Sequence, residues 1–231
     1  MRELVFKQEK QGYRYNTCSL LLYDFISRQK LCGRVLDVGC GCGFIGILLK
    51  EKFEKIALSL LDILPQNCTL TQQNLEHNNL KAQVLCADFA DFSSKEKFDF
   101  IVSNPPFYRQ GAMISANLHK QKSKFASSLN LQSFIKTSNA LLKPKGRLYF
   151  CYEVGALQDL CLVLAQYKLT ITKLVLVHKN ANEKAKLALI EARKSSKSPC
   201  EVVSFFIYEN EALSAKMQEI YTTIRIKSCD V

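Results

Sequence analysis

Between Arg34 and Leu49 the chain reads Arg-Val-Leu-Asp-Val-Gly-Cys-Gly-Cys-Gly-Phe-Ile-Gly-Ile-Leu-Leu, and no other stretch narrows the fold as far. The first apolar run fits a strand buried on both faces, and the run after the glycines fits a helix. Glycine between them lets the backbone take positive φ and keeps any Cβ out of a ligand's way. A strand, a glycine turn and a helix in that order form the opening unit of a parallel α/β sheet. Further strands are predicted to begin near Ile56, Gln83, Phe98 and Gly146, with helical stretches between them. An apolar helix around Leu20 to Ile26 precedes the first strand and should pack on the sheet. Later candidates run from Leu169 to Val177, Lys186 to Glu191 and Val202 to Tyr208. The segment from Leu174 to Tyr208, broken by Lys194-Ser-Ser-Lys-Ser-Pro199, predicts a terminal antiparallel hairpin. No linker, repeat or low-complexity stretch divides the 231 residues, so one domain is expected, with residues 1–30 covering a ligand site and 31–231 forming the core.

In such a sheet ligands bind at the C-terminal ends of the strands, and acidic residues sit there. Asp62 ends the run Ile56-Ala-Leu-Ser-Leu-Leu61 and is placed to bind two ribose hydroxyls, which points to a nucleoside cofactor. Gly41-Cys42-Gly43-Phe44-Ile45-Gly46 is a literal dinucleotide fingerprint, but that match alone is weak. Asp37 inside the preceding strand would repel a pyrophosphate and suits the cationic aminoacyl end of S-adenosylmethionine, which is therefore preferred over NAD.

Asn104-Pro105-Pro106-Phe107 follows the strand Phe98-Asp-Phe-Ile-Val-Ser103. An amino group on a base or amide has a delocalised lone pair and attacks poorly unless acceptors hold its hydrogens. The Asn104 side-chain oxygen and the Pro105 carbonyl are the candidate acceptors. Each proline lacks an N–H and fixes φ, so the turn is stiff, and alignment of reacting atoms is worth several powers of ten in rate. Phe107, with Tyr108 beside it, offers a face for stacking a planar ring.

The ten cysteines form no C-x-x-C pair and read as reduced residues, several of them in apolar patterns. His77, His119 and His178 stand apart, so neither a metal site nor a histidine base is supported. A net charge of +11, from 32 basic and 21 acidic residues, favours a polyanionic partner. Lys120, Lys122 and Lys124 follow the Asn-Pro-Pro turn, while Lys179, Lys184, Lys186, Arg193, Lys194 and Lys197 crowd the later half. Held on one face, such residues track phosphates. No apolar stretch approaches the roughly 20 residues that span a bilayer, and the start lacks a signal peptide's apolar core. The expected location is the cytoplasm, away from membranes.

These residues resemble the class I methyltransferases that carry Asn-Pro-Pro-aromatic and modify exocyclic base amines or a glutamine amide. The resemblance covers roughly residues 30 to 155 and implies a Rossmann-like, doubly wound, seven-stranded sheet, mostly parallel, with a C-terminal antiparallel hairpin. It implies S-adenosylmethionine as cofactor, with Asp37, Gly39, Cys40, Gly41, Cys42 and Gly43 around its methionine end. Asp62 and Ile63 would lie at the ribose, and Asp88 and Phe89 at the adenine. Thr17 would belong to the covering segment, and Asn104 would bridge cofactor and substrate, with Pro105, Pro106 and Phe107 completing the catalytic turn. Tyr108, Lys120, Lys122 and Lys124 would contact substrate.

Phe6-Lys7-Gln8, Tyr108-Arg-Gln-Gly111 after the proline turn, and Leu187-Ala-Leu-Ile-Glu-Ala-Arg193 extend the likeness to bacterial enzymes that methylate an adenine amine in a valine tRNA's anticodon loop. An Asp commonly follows the covering segment's Thr in those enzymes, where this chain has Cys18 after Thr17. Lysines stand after the catalytic turn where arginines are common, and lysine lacks the bidentate fork. The implied partner is RNA, foremost tRNA. The alternatives are a guanine amine of ribosomal RNA, the glutamine amide of a release factor, and a non-catalytic RNA-binding module.

Overall fold

A computed structural model describes residues 2–8, 15–105 and 130–230. After β1 (Leu4–Gln8), the chain forms α1 (Thr17–Ser27), β2 (Arg34–Val38), α2 (Phe44–Lys52), β3 (Ala57–Asp62), α3 (Pro65–His77), β4 (Gln83–Cys86) and β5 (Phe98–Ser103). It continues through α4 (Leu131–Leu141), β6 (Leu142–Glu153), α5 (Leu157–Gln166), β7 (Leu169–His178), β8 (Leu187–Lys194) and β9 (Glu201–Phe206). A short β10–β11 hairpin (Tyr208–Glu209, Ala212–Leu213), α6 (Ala215–Thr223) and β12 (Ile226–Asp230) complete it. Helix starts follow local chemistry. Asn16 caps α1 by accepting from the Ser19 amide at 3.1 Å, Asn130 caps α4 by accepting from Ser133 at 2.8 Å, and α3 opens on Pro65.

The main sheet has the order β4-β3-β2-β5-β6-β8-β7-β9. Strands β2 to β6 are mutually parallel, β8 runs antiparallel to both β6 and β7, and β9 pairs parallel with β7. Successive strand residues feed opposite faces, as the pleat requires. Val35, Leu58, Leu60, Phe100 and Val102 pack with α1, α2, α3 and α6, whereas Leu36, Leu61, Ile101, Leu148 and Phe150 pack with α4 and α5.

The mostly parallel Rossmann-like sheet agrees with the sequence, with two differences of detail. Among the described residues the main sheet has eight strands, not seven, and the antiparallel hairpin is β7–β8, closed between Val177 and Leu187. The Lys194–Pro199 break does not fold the chain back beside β8; it carries the chain to β9 on the other side of β7. A second parallel pair joins β1 to β12, with Leu4 opposite Ile226 and Gln8 opposite Asp230.

Candidate active site

Strand β2 lies between β3 and β5, where the strand order turns back on itself, and the crevice outside such a switch point is where open α/β sheets bind ligands. Here Gly39, Gly41 and Gly43 take φ of 66°, 58° and 80°. The Gly39 and Cys40 amides both donate to the Leu61 carbonyl, at 2.8 and 3.1 Å, which folds the turn against the end of β3. Gly46, in the first turn of α2, is required for a different reason. A Cβ there would lie 2.6 Å from Leu60 and 2.9 Å from the Asp37 carboxylate. Its absence lets the Gly46 amide donate to Asp37 at 2.8 Å.

The turn opens on a cleft of 310 Å³, including its solvent-open space, lined by Tyr15, Ser19, Asp37, Gly39, Cys40, Cys42, Phe44, Ile45 and Asn104. Asp37 is 2% exposed, and desolvation, opposed by the Gly46 hydrogen bond and assisted by nearby Asp62, raises its pKa to about 7. A carboxylate so short of water is a place for a cation, which fits the aminoacyl end of S-adenosylmethionine. Cys40 and Cys42 line the cleft and are both buried. Burial pushes the Cys42 thiol up to about 12 and that of Cys40 well above its ordinary value, so neither is a nucleophile at neutral pH.

Asp62, only 1% exposed, uses its carboxylate to brace the turn. One oxygen accepts from Gly41 at 2.8 Å, and the other from the Leu64 amide at 2.9 Å and the Asn67 side chain at 3.1 Å. Burial raises its pKa against these bonds. Asn67 begins a polar stripe on α3 that sequence reasoning missed. Thr71 donates to the Gly41 carbonyl at 2.8 Å, and the Asn74 amide donates to the Cys42 carbonyl at 2.9 Å. Asn74 also bonds both backbone groups of Lys7 on β1, accepting from its amide at 2.8 Å and donating to its carbonyl at 3.1 Å. Asn78 does the same for Val5, at 3.0 and 2.8 Å. The spacing 67, 71, 74, 78 is the helical repeat that signals one face, but asparagines at that period also suit a solvated surface.

Asn104 leaves the end of β5 into the cleft, and its amide nitrogen donates to the Ser19 hydroxyl at 3.0 Å. The Ser103 hydroxyl beside it donates to the Val38 carbonyl at 2.9 Å, tying the ends of β5 and β2 together. The covering segment reaches the cleft through Tyr15 and Ser19, while Thr17 and Cys18 are half-buried and outside its lining. Tyr15 stacks on Phe44 with ring centroids 4.0 Å apart, and its amide donates to Gln8 at 3.1 Å. Ile63 follows Asp62 half-buried, and Asp88 caps its own turn by accepting from Ala90 at 2.9 Å. Phe89, expected beside Asp88 at the adenine, turns its side chain into the core against Phe134, 5.8 Å between centroids, and is not among the residues that line the cleft. Pro105 is described; Pro106, Phe107, Tyr108, Lys120, Lys122 and Lys124 lie outside the described residues.

The later basic cluster divides. Arg193 donates to Glu191 at 2.7 Å and Lys194 to the Asn139 and Leu142 carbonyls at 2.6 and 3.1 Å, so both serve the interior. Lys179 and Lys186, with side chains 64% and 87% exposed, flank the β7–β8 turn. Because Ser103 pairs with Phe150 and Glu153 with Leu187, that turn emerges at the sheet edge that carries Asn104. Among the described residues no group of three or more His, Cys, Asp or Glu is placed to hold a metal ion, and no helix is long and apolar enough to cross a membrane.

The chain is similar to known proteins in sequence and in fold. The chain is similar to the ribosomal RNA small subunit methyltransferase C of Actinobacillus pleuropneumoniae, 46% identical over 90 residues, which is 38% of this chain and 27% of that relative. It thus spans about a quarter of the length of such relatives. It is also similar to the tRNA1(Val) (adenine(37)-N6)-methyltransferase of Christiangramia forsetii, 24% identical over 195 residues, covering 82% of this chain and 81% of the relative. Among solved structures, the T. thermophilus 16S rRNA N2 methyltransferase in complex with AdoMet and guanosine superposes with a TM-score of 0.57 at 23% identity, covering 78% of this chain and 44% of that one. S-adenosylmethionine, the cofactor read from the sequence, is borne out by these matches. The profile of the methyltransferase small domain matches residues 13–156, from the covering segment through the glycine turn and Asn104 to the end of β6, and the chain belongs to that family.

Proposed function

We propose that the chain methylates the exocyclic amine of an adenine in tRNA, with the anticodon loop of valine tRNA as target and the cytoplasm as its place of work. The single observation that carries this is Asn104, set at the rim of the cleft that Asp37 and the glycine turn floor, with its nitrogen held by Ser19. S-adenosylmethionine supplies an electrophilic methyl group on a positively charged sulfur. Asp37 answers the positive charge of the aminoacyl end, and backbone of the 39–43 turn lies along it. Asp62 and Ile63 attend the ribose, and Asp88 with its neighbour Phe89 attends the adenine. The Asn104 amide oxygen, on the branch opposite the nitrogen that Ser19 holds, accepts one hydrogen of the target amine, and the Pro105 carbonyl accepts the other.

No side chain need remove a proton first, because the amine becomes acidic only as it gains the methyl. The target base is flipped out of its loop, at small cost for an unpaired base, and Phe107 and Tyr108 stack on it. Lys120, Lys122 and Lys124 meet phosphates, joined by Lys179 and Lys186 from the sheet edge that carries Asn104. Residues 1–231 act as one methyltransferase domain, in which residues 1–30 close over the cofactor through Tyr15 and Ser19.

Adenine in tRNA is favoured because the relative with that activity aligns over most of both chains, whereas the ribosomal RNA relatives align over a short central segment. Higher local identity gives the guanine amine of ribosomal RNA the place of second reading. Labelled S-adenosylmethionine offered with tRNA, ribosomal RNA and release factor in parallel, followed by mass analysis of the nucleosides, separates them. Methyladenosine in tRNA is expected. Label in guanine would transfer the assignment to ribosomal RNA, label in protein to a glutamine amide, and no label with RNA still bound to a non-catalytic module.

A further inference from the structure

Cys68, in the first turn of α3, and Cys86, the last residue of β4, have no part in the proposed chemistry. The Cys68 sulfur lies 3.6 Å from the Asp62 carbonyl and 3.7 Å from that of Leu85, the residue before Cys86. Cys86 pairs opposite Asp62 in the sheet, and its sulfur lies 3.9 Å from the Ile63 carbonyl. Both sulfurs therefore lie at the carbonyls where the chain leaves β3, Cys68 at that of Asp62 and Cys86 at that of Ile63. Cys86 is exposed and Cys68 half-buried, so an oxidant reaches the first, while the sulfur of the second sits against the carbonyl of the residue that precedes Cys86. Burial, with the Cys86 side chain adding to it, pushes the Cys68 thiol up to about 12.

We propose that Cys68 and Cys86 are a dithiol oxidation site whose disulfide weakens binding at the cofactor cleft. A hydroperoxide oxidises the Cys86 thiolate to a sulfenic acid and is itself reduced to an alcohol or water. The Cys68 thiol then attacks the sulfenic sulfur, forming the S–S bond and releasing water. With its raised pKa Cys68 is little ionised at neutral pH, so this second step quickens with pH. Closing the bond draws the first turn of α3 toward the end of β4. That helix carries Asn67, Thr71 and Asn74, which hold Asp62 and the Gly41 and Cys42 carbonyls. Displacing it perturbs three supports of the cleft at once, and coupling between sites is commonly worth about 5- to 150-fold in affinity.

The test treats the whole protein with hydrogen peroxide, maps disulfides by peptide mass, and measures S-adenosylhomocysteine binding by calorimetry before and after. A Cys68–Cys86 cross-link is expected, together with an affinity loss of about five-fold or more. Dithiothreitol should restore binding, and the Cys86→Ser variant should keep its affinity through the same treatment. Peptides showing other cysteines oxidised while these two remain unlinked would overturn the proposal, as would a mapped cross-link with unchanged affinity. Reduced protein that fails to bind S-adenosylhomocysteine would instead refute the cofactor site and the coupling built on it, and the cross-link would still be decided by mass.

Discussion

Replacing Asp37 by Asn isolates the electrostatic cost of the cleft's buried carboxylate. Unfolded, this group ionises near 3.8; folded, desolvation raises it to about 7. Between those values the native state keeps a proton that the unfolded chain has lost, so stability falls as pH rises through the window and levels off above it. Three pKa units at about 1.4 kcal/mol each place the cost near 4 kcal/mol at pH 8. Asparagine carries no charge and still offers an oxygen to the Gly46 amide, but its NH2 is a new buried donor whose desolvation costs about 1–3 kcal/mol. The ligand-free variant should therefore gain about 1–3 kcal/mol over the wild type at pH 8, some 2–4 °C in Tm per kcal/mol, and lose the advantage by pH 5. Thermal melts from pH 5 to pH 8.5 measure it. Cofactor binding should move oppositely: S-adenosylmethionine should bind the wild type more tightly as pH rises toward 7, and the variant about ten-fold or more weakly, since a partnered buried charge is worth several kcal/mol. A Tm difference that is flat in pH, or a variant that binds as well as wild type, would rule out a strained, cation-seeking carboxylate at Asp37.

Asn104→Ala should cut turnover about 100-fold or more, the scale of removing one transition-state hydrogen bond, while S-adenosylhomocysteine affinity by calorimetry is largely kept. Thr71→Val deletes the donor to the Gly41 carbonyl at nearly constant shape; leaving that acceptor unpaired costs about 1–3 kcal/mol, read as weaker cofactor binding by calorimetry with little change in KM for RNA. Glu191→Ala breaks a buried cluster in which Thr172, Tyr149 and Arg193 donate at 2.5, 2.6 and 2.7 Å, and urea melts should show a loss of about 3–5 kcal/mol. Burial acts to raise the Glu191 pKa, but these bonds hold it below the usual value. Its contribution is therefore present above the unfolded pKa and should fade as pH falls through the lower folded one.

What the sequence disclosed was local. The glycine turn, the strands beginning at Arg34, Gln83 and Phe98, and the apolar first helix follow from short patterns of burial and backbone freedom, and all stand where expected. The same patterns placed Asp37 inside its strand, Asp62 at the end of the next and Asn104 just past Ser103. What was hidden depends on residues far apart in the chain. Nothing in Leu4–Gln8 announces a partner in Ile226–Asp230, and nothing in Asn74 or Asn78 distinguishes an amide on a surface helix from one bonded to another strand's backbone. Ser19 looks like a helix residue until the fold brings Asn104 to it. Phe89 was read from its neighbour Asp88, although a ring just after a strand has the core as an equally good destination.

Asn74 is bonded at once to Lys7 in the first strand and to Cys42 in the glycine turn. Two segments that share a single buried amide cannot order independently. Occupancy of the nucleoside site and docking of the leading strand become linked equilibria, and the Val5 and Lys7 amides should exchange hydrogen for deuterium more slowly once S-adenosylhomocysteine is bound.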